Sequence, residues 1–312
     1  MKVSIITPCY NAAPYITATI SSVQQQTLSD WEMIIVDDGS TDNSAEIIRQ
    51  IAQHDLRIKL IQKENGGSAS ARKLGLSIAQ GEYIQFLDSD DTIEQHKLEN
   101  QLALMTQKEL DVAYTDWQFV QTDGKKGPIR GLNCSLIRLL AIWGTFGTLP
   151  LHCFMYKHEF LRKNNINIPT HIKEREDWDF HIEVFSANPR HKRMQGYCGA
   201  MYTKAPTGKT TGASQATVSI GSFKYLLYRI GKESGYRQLL LLLRFSLELC
   251  YWWLRIPKTS PQHKLSAHFD FKSNQNYRRA IICGIMLLPV SFSILVAHSF
   301  IERTKTFIKK LW

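Results

Sequence analysis

A chain of 312 residues with 44% apolar and 11% aromatic content is long and apolar enough to bury a sizeable core, which excludes wholesale disorder. Its 6 cysteines stand far apart, with no Cys-x-x-Cys pair and no nearby His at zinc-ligand spacing, so neither a disulfide framework nor a structural zinc is expected. The net charge of +10 is uneven: residues 1–100 hold 8 basic and 14 acidic side chains, or −6, while residues 101–312 hold 30 and 14, or +16. A basic half of that kind suits nucleic acid, anionic lipid or an anionic substrate, and charge alone does not choose among them.

The first apolar run, Val3–Thr7, follows a single basic residue and stops at Pro8. It is too short for a signal-peptide core, so the N-terminal part is expected to stay in the cytoplasm. Further runs at Met33–Val36, Ile58–Ile61 and Tyr83–Leu87 are short and rich in Ile and Val, which predicts buried strands. Between them, Ile16, Ile20 and Val23 mark one face of a helix, and Ile47, Ile48 and Ile51 mark another that Thr41 or Asp42 would cap. A third helix fits Ser68–Ala79, ended by Gly81. This alternation predicts an α/β fold, a Rossmann-like, mostly parallel sheet flanked by helices, with ligands at the carboxyl ends of the strands.

Polar clusters fall at those ends: Pro8-Cys9-Tyr10-Asn11, Asp37-Asp38-Gly39-Ser40, Asn65-Gly66-Gly67-Ser68 and Asp88-Ser89-Asp90-Asp91. So many carboxylates at one sheet edge repel one another unless a cation or hydrogen-bond donors compensate. Hard carboxylate oxygens suit Mg²⁺ or Mn²⁺, with a diphosphate completing the shell. In Asp88-Ser89-Asp90 the period-2 geometry of a strand end puts both acids on one side, one to reach a ribose and the other a metal.

These clusters also carry a resemblance. Val3-Ser4-Ile5-Ile6-Thr7-Pro8-Cys9-Tyr10-Asn11, Ile35-Val36-Asp37-Asp38-Gly39-Ser40-Thr41-Asp42, Asn65-Gly66-Gly67-Ser68-Ala69-Ser70-Ala71-Arg72 and Gly81-Glu82-Tyr83-Ile84-Gln85-Phe86-Leu87-Asp88-Ser89-Asp90-Asp91 resemble the successive motifs of family 2 glycosyltransferases. The resemblance implies a GT-A fold, inverting chemistry and a nucleotide-sugar donor. Carried over, it implies that Thr7 and Tyr10 flank the base, that Asp38 bonds its polar edge, typically uracil, that Arg72 approaches the nucleotide, and that Asp88 meets the ribose. It further implies that Asp90 is the protein's ligand to Mn²⁺ or Mg²⁺. Lys73 stands where an Asn more often follows the Arg. Glu176-Asp177-Trp178-Asp179 is similar to the Glu-Asp motif that supplies the family's base, which makes Asp177 the candidate; the same acids would also favour a helix N-terminus.

Residues 96–215 read as the acceptor half of a catalytic domain spanning 1–215, with 1–95 as the nucleotide-binding half. Thr207-Gly208-Lys209-Thr210 looks like the end of a phosphate-binding loop, but Thr203 stands where that motif needs its first Gly. A loop bringing Lys204 or Lys209 toward the diphosphate is the simpler expectation. In the tail, 216–312, Leu239–Leu254 is nearly apolar all round, and the 22 residues of Ala280–Ile301 contain no Asp, Glu, Lys or Arg. Basic residues on both flanks, Pro289 in the middle and a balance of 15 basic to 4 acidic over 213–312 favour a helical tail lying on or re-entering an anionic cytoplasmic leaflet. No basic–aromatic array accompanies the charge, so nucleic acid is not expected as a partner.

Processive members of the family carry a Gln-x-x-Arg-Trp signature, of which Gln275-Asn276-Tyr277-Arg278-Arg279 is only an echo. Transfer of one sugar to a glycan or lipid-linked acceptor of a surface polysaccharide or lipo-oligosaccharide is therefore expected. Transfer to a polyprenyl phosphate is the alternative, and a catalytically idle nucleotide-sugar-binding membrane protein a third reading.

Overall fold

The structure, a computed structural model, describes residues 1–121, 123–142, 149–172 and 175–203 and short stretches between 226 and 244. Strands β1 (Val3–Cys9) and β2 (Trp31–Asp37) are buried at every position, as strands covered on both faces require, and the polar Ser4 and Glu32 within them bond to each other (2.6 Å). Helix α1 (Ile16–Gln24) buries Ile16, Ile20 and Val23, the predicted stripe. Helix α2 (Ser44–His54) buries Ile48 and packs Ile47 and Ile51 against the same core. Neither expected cap takes the N-cap position, which falls on Asn43 and makes no side-chain cap bond; Asp42, one residue earlier, accepts the Ser44 N–H (3.0 Å), and Thr41 turns to Asn11.

Strand β3 (Ile58–Gln62), helix α3 (Ser68–Ile78) and strand β4 (Tyr83–Phe86) follow. Gly81 does not end α3 as expected. The helix stops at Ile78 with Ala79 already extended, and Gly81 instead crosses β1, where a Cβ would lie 2.4 Å from the Ser4 nitrogen. The glycine is demanded by strand packing rather than by the cap.

The second half contributes β5 (Thr92–Ile93), α4 (Lys97–Gln107), β6 (Val112–Val120), α5 (Leu136–Ile142), a 3₁₀ turn at Leu151–Cys153, β7 (Phe154–Lys157), α6 (His158–Lys163), α7 (Glu176–Ser186) and β8 (His191–Thr203). All eight strands form one sheet in the order β3-β2-β1-β4-β7-β6-β8-β5. The β3-β2-β1-β4 portion is parallel, as predicted, and the chain reverses its direction of travel at β1, which opens a crevice at the carboxyl ends of these strands. β7 runs antiparallel to both β4 and β6, so the sheet is mixed beyond β4.

The chain divides into two compact units, Met1–Leu136 with Gly147–Gly212, and Ile137–Phe146 with Ala213–Trp312. Every site residue below belongs to the first. In the second, Arg229 is paired with Glu233 at 2.7 Å. Among the described residues no helix is long and apolar enough to cross a membrane. Leu239–Leu254 lies mostly, and Ala280–Ile301 and the loop with Lys204 and Lys209 wholly, outside the described residues.

Candidate active site

The crevice is built from four loops that brace one another. After β1, Asn11 takes up a left-handed backbone (φ 50°), and its N–H donates to Ser40 Oγ (2.9 Å) while its side chain accepts the Thr41 N–H (2.8 Å). Ala12 N–H donates to Ser44 Oγ (2.8 Å) and Ala13 N–H to Asp42 Oδ2 (3.1 Å). The loops after β1 and β2 are thus one stitched unit. It leaves Tyr10 half exposed at the lip, 50% accessible, while Thr7 is buried within β1 and its hydroxyl has no hydrogen-bond partner among the described residues.

Asp38 joins this unit to the loop after β3. Its backbone N–H donates to Cys9 O (2.8 Å), and its carboxylate accepts from Lys63 Nζ (2.6 Å), Gly66 N–H (2.9 Å) and Gly67 N–H (2.7 Å). Gly67 has φ 87°, which an L side chain adopts only under strain, and this conformation leads straight into α3. Asp38 therefore closes the Asn65-Gly66-Gly67-Ser68 loop, a structural role beside the base contact expected of it.

The acidic turn follows β4. Thr19 Oγ1 donates to Ser89 O (2.9 Å) and Asp91 N–H to Asp88 O (3.1 Å), which fixes its shape. Burial first, and then the Asp91 and Asp88 carboxylates, push the Asp90 carboxyl up to about 7. An acid so reluctant to ionise marks a place where a positive charge is wanted. Among the described residues no three His, Cys, Asp or Glu side chains form a metal cage. One protein carboxylate among crowded acids fits a hard divalent cation that draws its other ligands from a diphosphate and water.

Asp91 faces away from that role. It is buried, accepts the Thr203 N–H (2.8 Å) at the end of β8, and lies 3.1 Å from His152 Nδ1. That last approach is close without being aligned as a hydrogen bond. A buried polar network continues behind the turn: Lys97 Nζ donates to the side-chain oxygens of Gln85 and Gln101, and Gln85 Nε2 donates to His152 O (3.1 Å). Burial pulls Lys97 down to about 7.

Arg72 and Asp177 enter from opposite halves. Arg72, 6% accessible on α3, donates through Nη2 to Asp88 Oδ1 (2.6 Å) and through Nη1 to Glu176 Oε1 (3.2 Å). Burial disfavours its charge, but the Asp88 and Glu176 carboxylates outweigh burial and hold its pKa above the ordinary value. Asp177 is half buried on the first turn of α7, next to Glu176, and its backbone carbonyl accepts from His181 Nδ1 (2.7 Å). The structure thus brings Arg72, Asp88 and the Glu176-Asp177 pair together, with Asp90 on the same turn as Asp88. The sequence reading missed Glu176, Ser68 and Lys63 as partners; Glu176 and Ser68 lay inside quoted motifs, while Lys63 carried no signal.

The model of the family described as Glycosyl transferase family 2 matches residues 4–165. The putative teichuronic acid biosynthesis glycosyltransferase TuaG of Bacillus subtilis is 46% identical over 123 residues, 39% of this chain and 49% of that protein. The uncharacterized glycosyltransferase EpsJ of Bacillus subtilis is 31% identical over 200 residues, 62% of this chain and 58% of that protein. The matches to these relatives span about half of their length. Among solved structures, S. aureus TarS 1-349 in complex with UDP-GlcNAc superposes with a TM-score of 0.63 at 21% identity, covering 93% of this chain and 82% of that one. The mannosyltransferase PcManGT from Pyrobaculum calidifontis in complex with GDP-Man and Mn²⁺ gives 0.57 at 14% identity, covering 92% and 86%. At such identities the likeness speaks for the fold, which is GT-A.

Proposed function

The chain belongs to glycosyl transferase family 2, and from that premise we propose that it moves one sugar, with inversion, from a nucleotide sugar to a glycan or glycolipid acceptor in surface polysaccharide or lipo-oligosaccharide synthesis. The observation that carries this reading is the bridge that Arg72 makes between Asp88 of the acidic turn and Glu176, the neighbour of Asp177, at the crevice where the parallel strands end. The UDP-GlcNAc bound to the structural neighbour TarS and the teichuronic acid role in the name of TuaG favour a UDP-sugar and a cell-surface glycan.

In this reading Tyr10 and Thr7 flank the base, Asp38 meets its polar edge, Arg72 and Asp88 hold the nucleotide and its ribose, and Asp90 is the ligand for Mn²⁺ or Mg²⁺. The bound cation would offset the charge that develops on the departing diphosphate. Asp177 takes the proton of the acceptor hydroxyl as that oxygen attacks the anomeric carbon from the face opposite the leaving group. The bond to the nucleoside diphosphate breaks as the new glycosidic bond forms, which inverts the configuration. Glu176 is the poorer candidate for base, because its Oε1 already accepts from Ser68 Oγ (2.8 Å) and Arg72.

The catalytic domain is proposed to span 1–215, with the basic tail, 216–312, on the cytoplasmic face of an anionic membrane where acceptors are anchored. The charge balance of 15 basic to 4 acidic over 213–312 supports that placement, and it equally suits the phosphate of a polyprenyl carrier as acceptor. Thermal-shift titration with UDP- and GDP-sugars, with and without Mn²⁺, tests donor binding. A Mn²⁺-dependent rise in melting temperature, lost in Asp90→Ala, is expected. The absence of any shift with every donor would overturn the reading, and product analysis with lipid phosphate against glycan acceptors separates the two acceptor classes.

A further inference from the structure

We infer that His152 is a positioning residue for the turn that presents Asp90 to the cation; the inference rests on the metal-holding role proposed for Asp90 above. Asp91, next in sequence to Asp90, is buried and closes the acidic turn, since its N–H donates to Asp88 O (3.1 Å). Its carboxylate reaches other elements at both oxygens. Oδ1 accepts the Thr203 N–H (2.8 Å) at the end of β8, and Oδ2 lies 3.1 Å from Nδ1 of His152, which is buried as well. Where Asp91 is held decides where Asp90, one peptide away, can point.

His152 is itself held from behind. It lies on the 3₁₀ turn before β7, where two glutamine side chains take successive carbonyls: His152 O accepts from Gln85 Nε2 (3.1 Å) on β4, and Cys153 O from Gln101 Nε2 (3.1 Å) on α4. Both glutamine side-chain oxygens accept from Lys97 Nζ, so one buried ammonium orients the two amides. Gln101 Nε2 also donates to Ala113 O (3.0 Å) on β6. Every member of this network is buried, so water does not compete for its bonds. The support runs from β4, α4 and β6 into the backbone of His152 and out through its ring to Asp91. The Tyr202 ring stacks beside the imidazole, with centroids 6.1 Å apart. Only one edge of the imidazole is used, for Nε2 is buried with no hydrogen-bond partner among the described residues. A buried polar atom left without a partner is costly, so the contact that explains a histidine here is the one Nδ1 makes with Asp91. A turn held in advance receives the cation without rearranging; losing His152 then weakens the cation and leaves the base-side loops as they are.

Binding of Mn²⁺, read from the electron paramagnetic resonance signal of the free ion, tests this without turnover. The full chain and its variants His152→Leu, His152→Asn and His152→Gln are titrated with Mn²⁺ in the presence of UDP and, separately, of GDP. In His152→Leu the Mn²⁺ dissociation constant is expected to rise at least ~5-fold, with nucleotide affinity measured without metal within about 2-fold. The amide nitrogen of Asn comes near the place of Nδ1 and that of Gln near the place of Nε2. Asn should therefore restore Mn²⁺ affinity to within about 2-fold, and Gln should not. Turnover lost in His152→Leu should return as Mn²⁺ is raised, which a general loss of structure would not allow.

If the unsubstituted chain binds Mn²⁺ and His152→Leu binds it equally, His152 does not position the turn and the metal reading stands. Restoration by Gln as full as by Asn overturns the inference too, and that contrast alone decides should His152→Leu fail to fold. If the unsubstituted chain takes up no Mn²⁺ with either nucleotide, the metal reading falls and takes the inference with it.

Discussion

The two halves of the site are assembled by opposite means. On the donor side, loops at the ends of neighbouring parallel strands bond across separations of 29 or 30 residues, and Asp38 alone gathers Lys63, Gly66 and Gly67. On the acceptor side, the candidate base sits on a helix whose start is held to α3 by Ser68 and Arg72, 108 and 104 positions away. The first half is preorganised by local geometry, and each loop fixes the next. The second is delivered as a unit and docked through one acid. A substitution on the donor side should therefore disturb stability and binding together, whereas one on the acceptor side should disturb turnover with little effect on binding.

Asp177→Asn is the strongest test of that division. It should lower kcat about 10²–10⁴-fold with nucleotide affinity unchanged, measured by steady-state kinetics beside a thermal-shift titration. Normal turnover would remove Asp177 from the chemistry. Asp38→Ala should show the contrary pattern, a loss of about 2 kcal/mol in urea unfolding, because it leaves the Gly66 and Gly67 N–H groups without their acceptor and breaks the Lys63 pairing. A loss of binding without a loss of stability would break the claim that Asp38 holds the loops.

The pH dependence of stability offers a finer test, located behind the turn. Lys97 has a folded pKa of about 7 against an ordinary 10.5, so between these values the unfolded chain holds a proton that the folded chain lacks. Stability should then rise with pH from about 7, by at most about 1.4 kcal/mol per unit. The rise should end near 9, where Cys9, pushed up to about 12 by burial and so still protonated in the folded chain, begins to act in the opposite sense. Differential scanning calorimetry of Lys97→Met should show no rise over this window. The smallest effect belongs to Ser68→Ala, below about 1 kcal/mol, with a modest drop in kcat if α7 loosens.

Legibility in the sequence follows the same divide. β1 to β4 are short Ile- and Val-rich strands with polar loops at their ends, so strands and site loops were predictable, while the role of Gly81 and the cap of α2 were misassigned. Beyond Ile93 the signal fails for physical reasons. The core there buries Lys97, Gln101, His152 and His181, of which Lys97, Gln101 and His181 bond to buried side chains and backbone, and such residues break the binary pattern. β8 alternates between half-buried and exposed positions over most of its 13 residues, so no face stands out. Asp177 was reached through a motif, and the partnership of Glu176 with Arg72 is a tertiary fact that no local spacing encodes.

Asp38 also bears on how a nucleobase would be told from its rivals. A carboxylate that already accepts three hydrogen bonds gains little from one more donor, so the right base earns only a modest reward there. A base presenting a lone pair at the same place meets a buried anion that cannot turn away without opening the loop. If Asp38 meets the base as proposed, recognition there would work chiefly by exclusion, and enlarging the range of accepted bases would require relaxing the Lys63 and Gly66-Gly67 contacts before altering Asp38 itself.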